Sequence, residues 1–151
     1  MKIVRASSSM PVFMQPTEYR GLSLMDGGLG EGGGIALPAA KRDGFQKFFV
    51  VLTREKGYRK APIKSGRMLR VAYWNYPELI WALENRHNEY NRALEELRQL
   101  ELEGKALLVY PETMPVSNRE SNYRKLSESY SLGHTQGMRE LPRWKEFLGI
   151  S

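Results

Sequence analysis

Gln46-Lys47-Phe48-Phe49-Val50-Val51-Leu52 is a near-continuous run of aromatic and β-branched residues, the pattern of a strand covered on both faces. A second run of this kind, Lys105-Ala106-Leu107-Leu108-Val109-Tyr110, follows Gly104 and stops at Pro111. Between them, from roughly Pro77 to Glu103, the residues Ile80, Leu83, His87, Tyr90, Leu94 and Leu97 recur at alternating three- and four-residue spacing. That spacing lays them along one stripe of a helix, while Glu95, Glu96, Arg98 and Glu101 fall elsewhere. The segment from about Glu120 to Phe147 reads as two more helices, broken near Gly133 and Gly137. The order strand, helix, strand, helix predicts a layered α/β domain with at least part of its sheet parallel.

Upstream, the first third of the chain is rich in glycine and proline. Pro11 and Pro16 bracket Val12-Phe13-Met14, which reads as a short extended piece because each proline disfavours helix in the residue before it. Thr17-Glu18-Tyr19, Arg20-Gly21 and Leu22-Ser23-Leu24-Met25-Asp26 read as a small hairpin with glycine in its turn. The run Gly27-Gly28-Leu29-Gly30-Glu31-Gly32-Gly33-Gly34 marks a loop whose role lies in backbone shape. Ile35 to Lys41, with Pro38 as an early helical residue, predicts a short helix that ends near Gly44.

Composition narrows the chemistry. With 151 residues, one core is the default, and neither a repeat nor a low-complexity tail interrupts it. There is no cysteine, which excludes disulfides, zinc-thiolate and iron–sulfur sites and a thiol nucleophile. Seven methionines without a cysteine suit a reducing cytoplasm, the expected location. The longest apolar runs fall far short of the roughly 20 residues that a membrane-spanning helix needs. The first residues carry Lys2 and Arg5 without an apolar stretch behind them, so no secretory signal is expected there.

The net charge of +6 is concentrated. Arg54, Lys56, Arg59, Lys60, Lys64, Arg67 and Arg70 stand against Glu55 alone between positions 54 and 70, a surplus equal to that of the whole chain. Such a segment is either a solvated loop or a surface that faces phosphate, in nucleic acid or in anionic lipid headgroups. The aromatics that follow it, Tyr73-Trp74, Tyr76 and Trp81, have the types that stack on bases, but core and interface packing is the simpler expectation for them.

Asp26-Gly27-Gly28 is the sharpest local feature: an acid at the end of an apolar strand, followed by two residues without side chains. Ligands of open α/β sheets bind beyond strand ends, and paired glycines let a substrate or another chain approach the backbone, which suggests a crevice at Asp26. The same three residues equally suit a turn in which the aspartate caps the following backbone N–H.

Taken in order, Arg5-Ala6-Ser7-Ser8-Ser9-Met10-Pro11-Val12-Phe13, Tyr19-Arg20-Gly21, Leu24-Met25-Asp26-Gly27-Gly28, Ala39-Ala40 with Gly44, and Phe49-Val50-Val51-Leu52-Thr53-Arg54 form a recognisable set. That set resembles the C-terminal half of bacterial patatin-like phospholipases, in which an A-S-x-x-x-P helix start, a hairpin ending in D-G-G or D-G-A, a short helix and an apolar strand follow one another. The resemblance continues through Gly57-Tyr58-Arg59-Lys60, His87-Asn88-Glu89-Tyr90-Asn91, Gly104-Lys105, Pro111 and Lys125-Leu126 with Tyr130 and Gly133, and so covers nearly the whole chain. It implies a single domain fragment over residues 1–151 with layered α/β/α architecture, the C-terminal portion of a partly parallel sheet. It also implies an acyl hydrolase that acts on lipid esters without metal or organic cofactor. Asp26 would be the acid of a Ser-Asp dyad, close to a nucleophilic serine whose proton it takes or orients, with Gly27 and Gly28 beside the substrate.

The chain departs from the family in two ways. The family's nucleophile sits in G-x-S-x-G at a strand-to-helix elbow, after a glycine-rich oxyanion loop. No serine here, from Ser7 through Ser65 to Ser151, has glycine both two residues before and two residues after it. The glycine run also lies after the aspartate, where the family has a D-x-x-P segment. The nucleophile-bearing N-terminal half is therefore absent from these residues. The expectation is a chain inactive alone, with an exposed sheet edge and core face that an N-terminal half or a second copy covers. The partners expected are a lipid or ester substrate and an anionic membrane surface, with nucleic acid not expected. The alternative is a non-catalytic module that binds anionic phosphate surfaces through the basic 54–70 segment.

Other constellations are weaker. A Ser7, His134, Asp26 triad is possible on paper, but no spacing supports it. His87 sits on the apolar stripe as a packed residue, and no pair of histidines has metal-ligand spacing, so no metal site is expected. The one G-x-G step, at Gly28-Leu29-Gly30, is not a nucleotide fingerprint.

Overall fold

The computed structural model of the chain describes residues 1–11, 13–64, 66–117 and 120–150. Val12 of the expected extended piece, and Ser65 and Ser151 among the serines, lie outside the described residues. In chain order the elements are α1 (Lys2–Ser7), β1 (Thr17–Tyr19), β2 (Leu22–Leu24), α2 (Leu37–Arg42), β3 (Phe48–Val51), α3 (Gly66–Ala72), α4 (Pro77–Leu102), β4 (Ala106–Val109) and α5 (Tyr123–Leu148). The architecture is mixed α/β, with an antiparallel pair β1–β2 and a parallel pair β3–β4. Two compact units divide the chain, one of residues 1–45 and 59–96, the other of 46–58 and 97–151.

In the first unit, the predicted hairpin forms with Thr17 opposite Leu24 and Tyr19 opposite Leu22. Its two turn residues, Arg20 (φ 51°) and Gly21 (φ 76°), both take the left-handed region that a tight hairpin turn of matching twist demands. Two expectations fail nearby. Ala6-Ser7 ends a helix where the resemblance implies one starting, because the hydroxyls of Ser8 and Ser9 bond back to the Arg5 carbonyl and compete with continuation of the helix. Phe13 and Met14 are not extended: both amides donate to the Met10 carbonyl, so the chain turns with Pro11 in the position its fixed φ suits.

The glycine run folds as two short 3₁₀ turns, Gly27–Leu29 and Glu31–Gly34. The second lies directly on α4: a Cβ at Gly33 would stand 2.5 Å from the Tyr90 nitrogen and 2.7 Å from the Arg86 carbonyl oxygen, and Gly33 has φ of 59°. Only glycine permits that approach. The short helix α2 carries Pro38 in its first turn, as anticipated. Leu83, Ala93 and Leu94 of α4 pack in the core of this unit with Ile35, Leu37 and Leu69. Of the predicted stripe, Ile80, His87 and Tyr90 are half-buried.

The second unit is built on β3 and β4. Register pairs Phe48 with Ala106 and Val51 with Val109, and the Phe48 and Leu52 amides donate to Lys105 and Val109 at 2.8 Å. β4 is buried throughout. Its outer side is capped where the Leu108 amide donates to Glu101 Oε1 at 3.2 Å. β3 is not covered on both faces as its composition suggested: Val51 is 63% exposed. Among the described residues β3 pairs with one neighbouring strand only.

α5 is one helix, not two. Asn122 caps it by accepting from the amides of Arg124 and Lys125. Gly133 and Gly137 do not break it, because glycine inside a helix costs only about 1 kcal/mol relative to alanine and packing offsets that amount. The space above Gly137 is taken by the Trp144 ring, which meets Phe49 edge-on at 5.4 Å between centroids. Among the described residues no helix is long and apolar enough to cross a membrane.

Candidate functional site

Asp26 follows β2 directly and caps the Gly27–Leu29 turn. Its backbone amide donates to the Ser9 carbonyl at 3.0 Å. Ser9 is fully buried, held by a 2.7 Å bond to the Arg5 carbonyl and facing Thr17 Oγ1 at 3.5 Å. The hairpin end is thereby fastened to the end of α1. Asp26 Oδ1 accepts the Gly28 amide at 2.8 Å, so the turn-capping role weighed from the sequence is present. Oδ2 carries no hydrogen bond among the described residues.

The aspartate side chain is 21% exposed, on the wall of an open pocket of about 370 Å³. Gly27, Leu24, Met25 and Leu29 line the same pocket together with Tyr76 and Leu79. A mostly apolar cavity with one acid on its wall can hold an acyl or other apolar group and present the carboxylate to it. Of the site residues expected from sequence, Asp26 and Gly27 line the pocket, while Gly28 is buried behind them.

Arg86 of α4 completes this corner. Its Nη2 lies 3.7 Å from Asp26 Oδ1, and its Nε is buried without a hydrogen-bond partner. A Cβ at Gly28 would stand 2.4 Å from Arg86 Nη2. The second glycine of Asp26-Gly27-Gly28 is therefore the gap through which the guanidinium reaches the aspartate. Nothing in the spacing of the sequence marks Arg86, since its partner is distant along the chain.

Two substitutes for the missing catalytic groups can be compared with the geometry. The amides of Leu29, Gly30, Gly33 and Ile35 are spent on carbonyls inside the two glycine turns, so they do not converge on an outside oxygen as an oxyanion loop must. Ser23 lines the Asp26 pocket, but its hydroxyl bonds to Glu18 on the opposite strand of the hairpin. The histidines are placed elsewhere: His87 Nδ1 contacts the Glu84 carbonyl at 2.8 Å, and His134 stacks on Tyr130. His134 belongs to the second unit, Ser7 and Asp26 to the first. Among the described residues no three acidic or histidine side chains gather as a metal would require.

The basic segment is divided between the units at Tyr58 and Arg59. In the first unit Arg59 pairs with Glu95 at 2.7 Å, and Arg70 holds both oxygens of Glu84 at 2.8 and 3.0 Å. The hydrogen-bonded Arg70 guanidinium keeps Glu84 below the ordinary carboxylate range. Lys60 turns toward α4: its amide donates to Asn91 Oδ1 at 2.9 Å, its carbonyl accepts Asn91 Nδ2 at 3.0 Å, and its ammonium lies over the Tyr90 ring. Lys60 and the Tyr90-Asn91 pair, separate in sequence, thus meet. Arg54 stacks on Tyr58. Much of the surplus read from the sequence is spent on α4 and on local packing.

In the second unit an open pocket of about 250 Å³ lies past the C-terminal ends of β3 and β4, where α/β sheets hold ligands. Thr53, Glu112, Ser129, Gln136 and Trp144 border it. Gln136 is buried and fully used, donating to the Tyr110 carbonyl at 2.7 Å and to Glu140 at 2.9 Å while accepting the Glu112 amide at 3.3 Å.

Residues 76–149, which include α4, β4 and α5, match the family model of a domain of unknown function (DUF6363). No curated protein matches the chain, and no solved structure matches it.

Proposed function

We propose that the chain is the C-terminal part of a patatin-like lipid acyl hydrolase that supplies the acid of a Ser-Asp dyad and depends on further residues for the serine. The observation that carries this reading is Asp26 on the wall of an apolar-lined pocket, with Oδ1 tethered to the Gly28 amide and Oδ2 unengaged. A carboxylate fixed by one oxygen and open at the other can take the proton of a hydroxyl brought against it, which turns a weak nucleophile into a competent one.

The unfinished sheet supports the same reading. Amides of a parallel strand alternate in direction, and because those of Phe48 and Leu52 point to β4, those of Phe49 and Val51 point away from it. Two-stranded sheets are marginal by themselves, and parallel ones are normally interior. In this proposal further strands extend from β3 and complete a layered α/β/α domain. The pairing of Arg59 and Arg70 with acids of α4 leaves the phosphate-binding alternative with fewer bases and favours the hydrolase.

The test has two parts. The purified chain is given a p-nitrophenyl ester series and a fluorophosphonate probe, read by turnover and intact mass. Neither turnover nor label is expected, and labelling of a single serine would overturn the proposal. With a serine-bearing N-terminal half supplied, Asp26→Asn should lower ester hydrolysis by about a hundredfold or more with an unchanged circular dichroism spectrum. Full activity in that variant removes Asp26 from the dyad.

A further inference from the structure

We propose that residues 67–81 form a docking surface for an anionic lipid bilayer. This goes beyond the hydrolase reading and stands without it, since it rests on the chemistry of exposed side chains. α3 is two-sided: Leu69 is buried and Arg70 is bound to Glu84, whereas Met68 and Val71, three residues apart and hence on one face, are 70% and 76% exposed. The chain continues into Trp74, 74% exposed, and α4 then presents Trp81 at 61%.

Large apolar side chains exposed one after another are costly in water and mark a surface that is covered in use. The composition identifies what covers it. Tryptophan with aliphatic neighbours and flanking bases is the signature of the headgroup boundary, where indole rings sit with one edge apolar and the other wet. The bases here are Arg67, exposed at the start of the stretch, and Lys64, exposed just ahead of it, and an anionic headgroup layer complements them. Glu78 is the acid within it, in the first turn of α4. Tyr76 belongs both to this exposed run and to the wall of the Asp26 pocket, so a lipid seated on the surface has an apolar opening beside it.

Vesicles of phosphatidylcholine mixed with phosphatidylglycerol provide the test. The full chain should sediment with them and shift its tryptophan emission to the blue, with weaker binding to phosphatidylcholine alone. The Trp74→Ala, Trp81→Ala double variant should lose about tenfold in partitioning while keeping its circular dichroism spectrum. Arg67→Glu should weaken binding to the mixed vesicles and leave binding to pure phosphatidylcholine unchanged. Absence of an emission shift with either vesicle overturns the proposal, as does undiminished partitioning of the double variant. It is equally overturned if Trp74 and Trp81 become shielded from quencher as protein concentration rises without lipid, because the surface then belongs to a second copy of the chain.

Discussion

Arg86 Nη2 lies 3.7 Å from Asp26 Oδ1 and reaches it through space that Gly28 leaves open. An acid that caps a short turn is common, but here the turn is backed by a cation on a long helix. The aspartate is thus oriented from two directions, by the Gly28 amide and by the guanidinium.

Substitution of two glycines on this loop separates a movable neighbour from an immovable one. In Gly28→Ala the new methyl meets the far ends of two side chains, the Arg86 guanidinium and the Asp26 carboxylate, which can swing away; about 1 kcal/mol of stability is lost, and the Asp26–Arg86 contact goes with it. In Gly33→Ala the methyl meets the backbone of α4 in a residue whose φ is already 59°, so the loss should be about 3 kcal/mol or more. Urea denaturation of both variants measures the gap, and equal losses would contradict this packing.

The end of α5 offers a simple cap. Asn122 Oδ1 accepts from Arg124 and Lys125, and Glu120 Oε1 accepts from the amides of Ser121 and Asn122. Asn122→Ala should cost about 1 kcal/mol, or about 2–4 °C in Tm for a chain of this size. Asn122→Asp should keep most of it. A thermal melt of the alanine variant that matches the parent would show that the cap contributes nothing.

Acid sensitivity should have a contribution from Glu140. The Gln136 amide, the Trp144 indole N–H and the nearby Arg139 guanidinium hold its carboxyl below the ordinary value of 4.5. A carboxylate depressed in the fold contributes fully to stability above its unfolded value. The contribution is lost as pH falls through 4.5 toward the lower folded value. Glu140→Gln should therefore flatten the fall of the urea midpoint below about pH 4.5, leaving the part that Glu84 and Glu120, lowered in the same direction, still supply. An unchanged slope would remove Glu140 from the acid response.

Local pattern alone was enough for the long elements. The 3.6-residue recurrence of Leu83, Leu94 and Leu97 determined α4, and the two apolar runs determined β3 and β4, because burial along a whole helix or strand must repeat with the period of the backbone. The Arg20-Gly21 hairpin turn was legible for the same local reason. Tertiary structure decided the rest. Gly133 and Gly137 signal a break by propensity, yet α5 runs through them because the Trp144 ring packs over Gly137. A basic run is visible in sequence as charge, but which of its bases are paired depended on acids of α4, which bind Arg59 and Arg70. Asp26-Gly27-Gly28 announced a turn and a crevice. That Arg86 would stand beside the aspartate follows only from the glycine loop lying on α4, a contact between surfaces remote along the chain that no local spacing encodes.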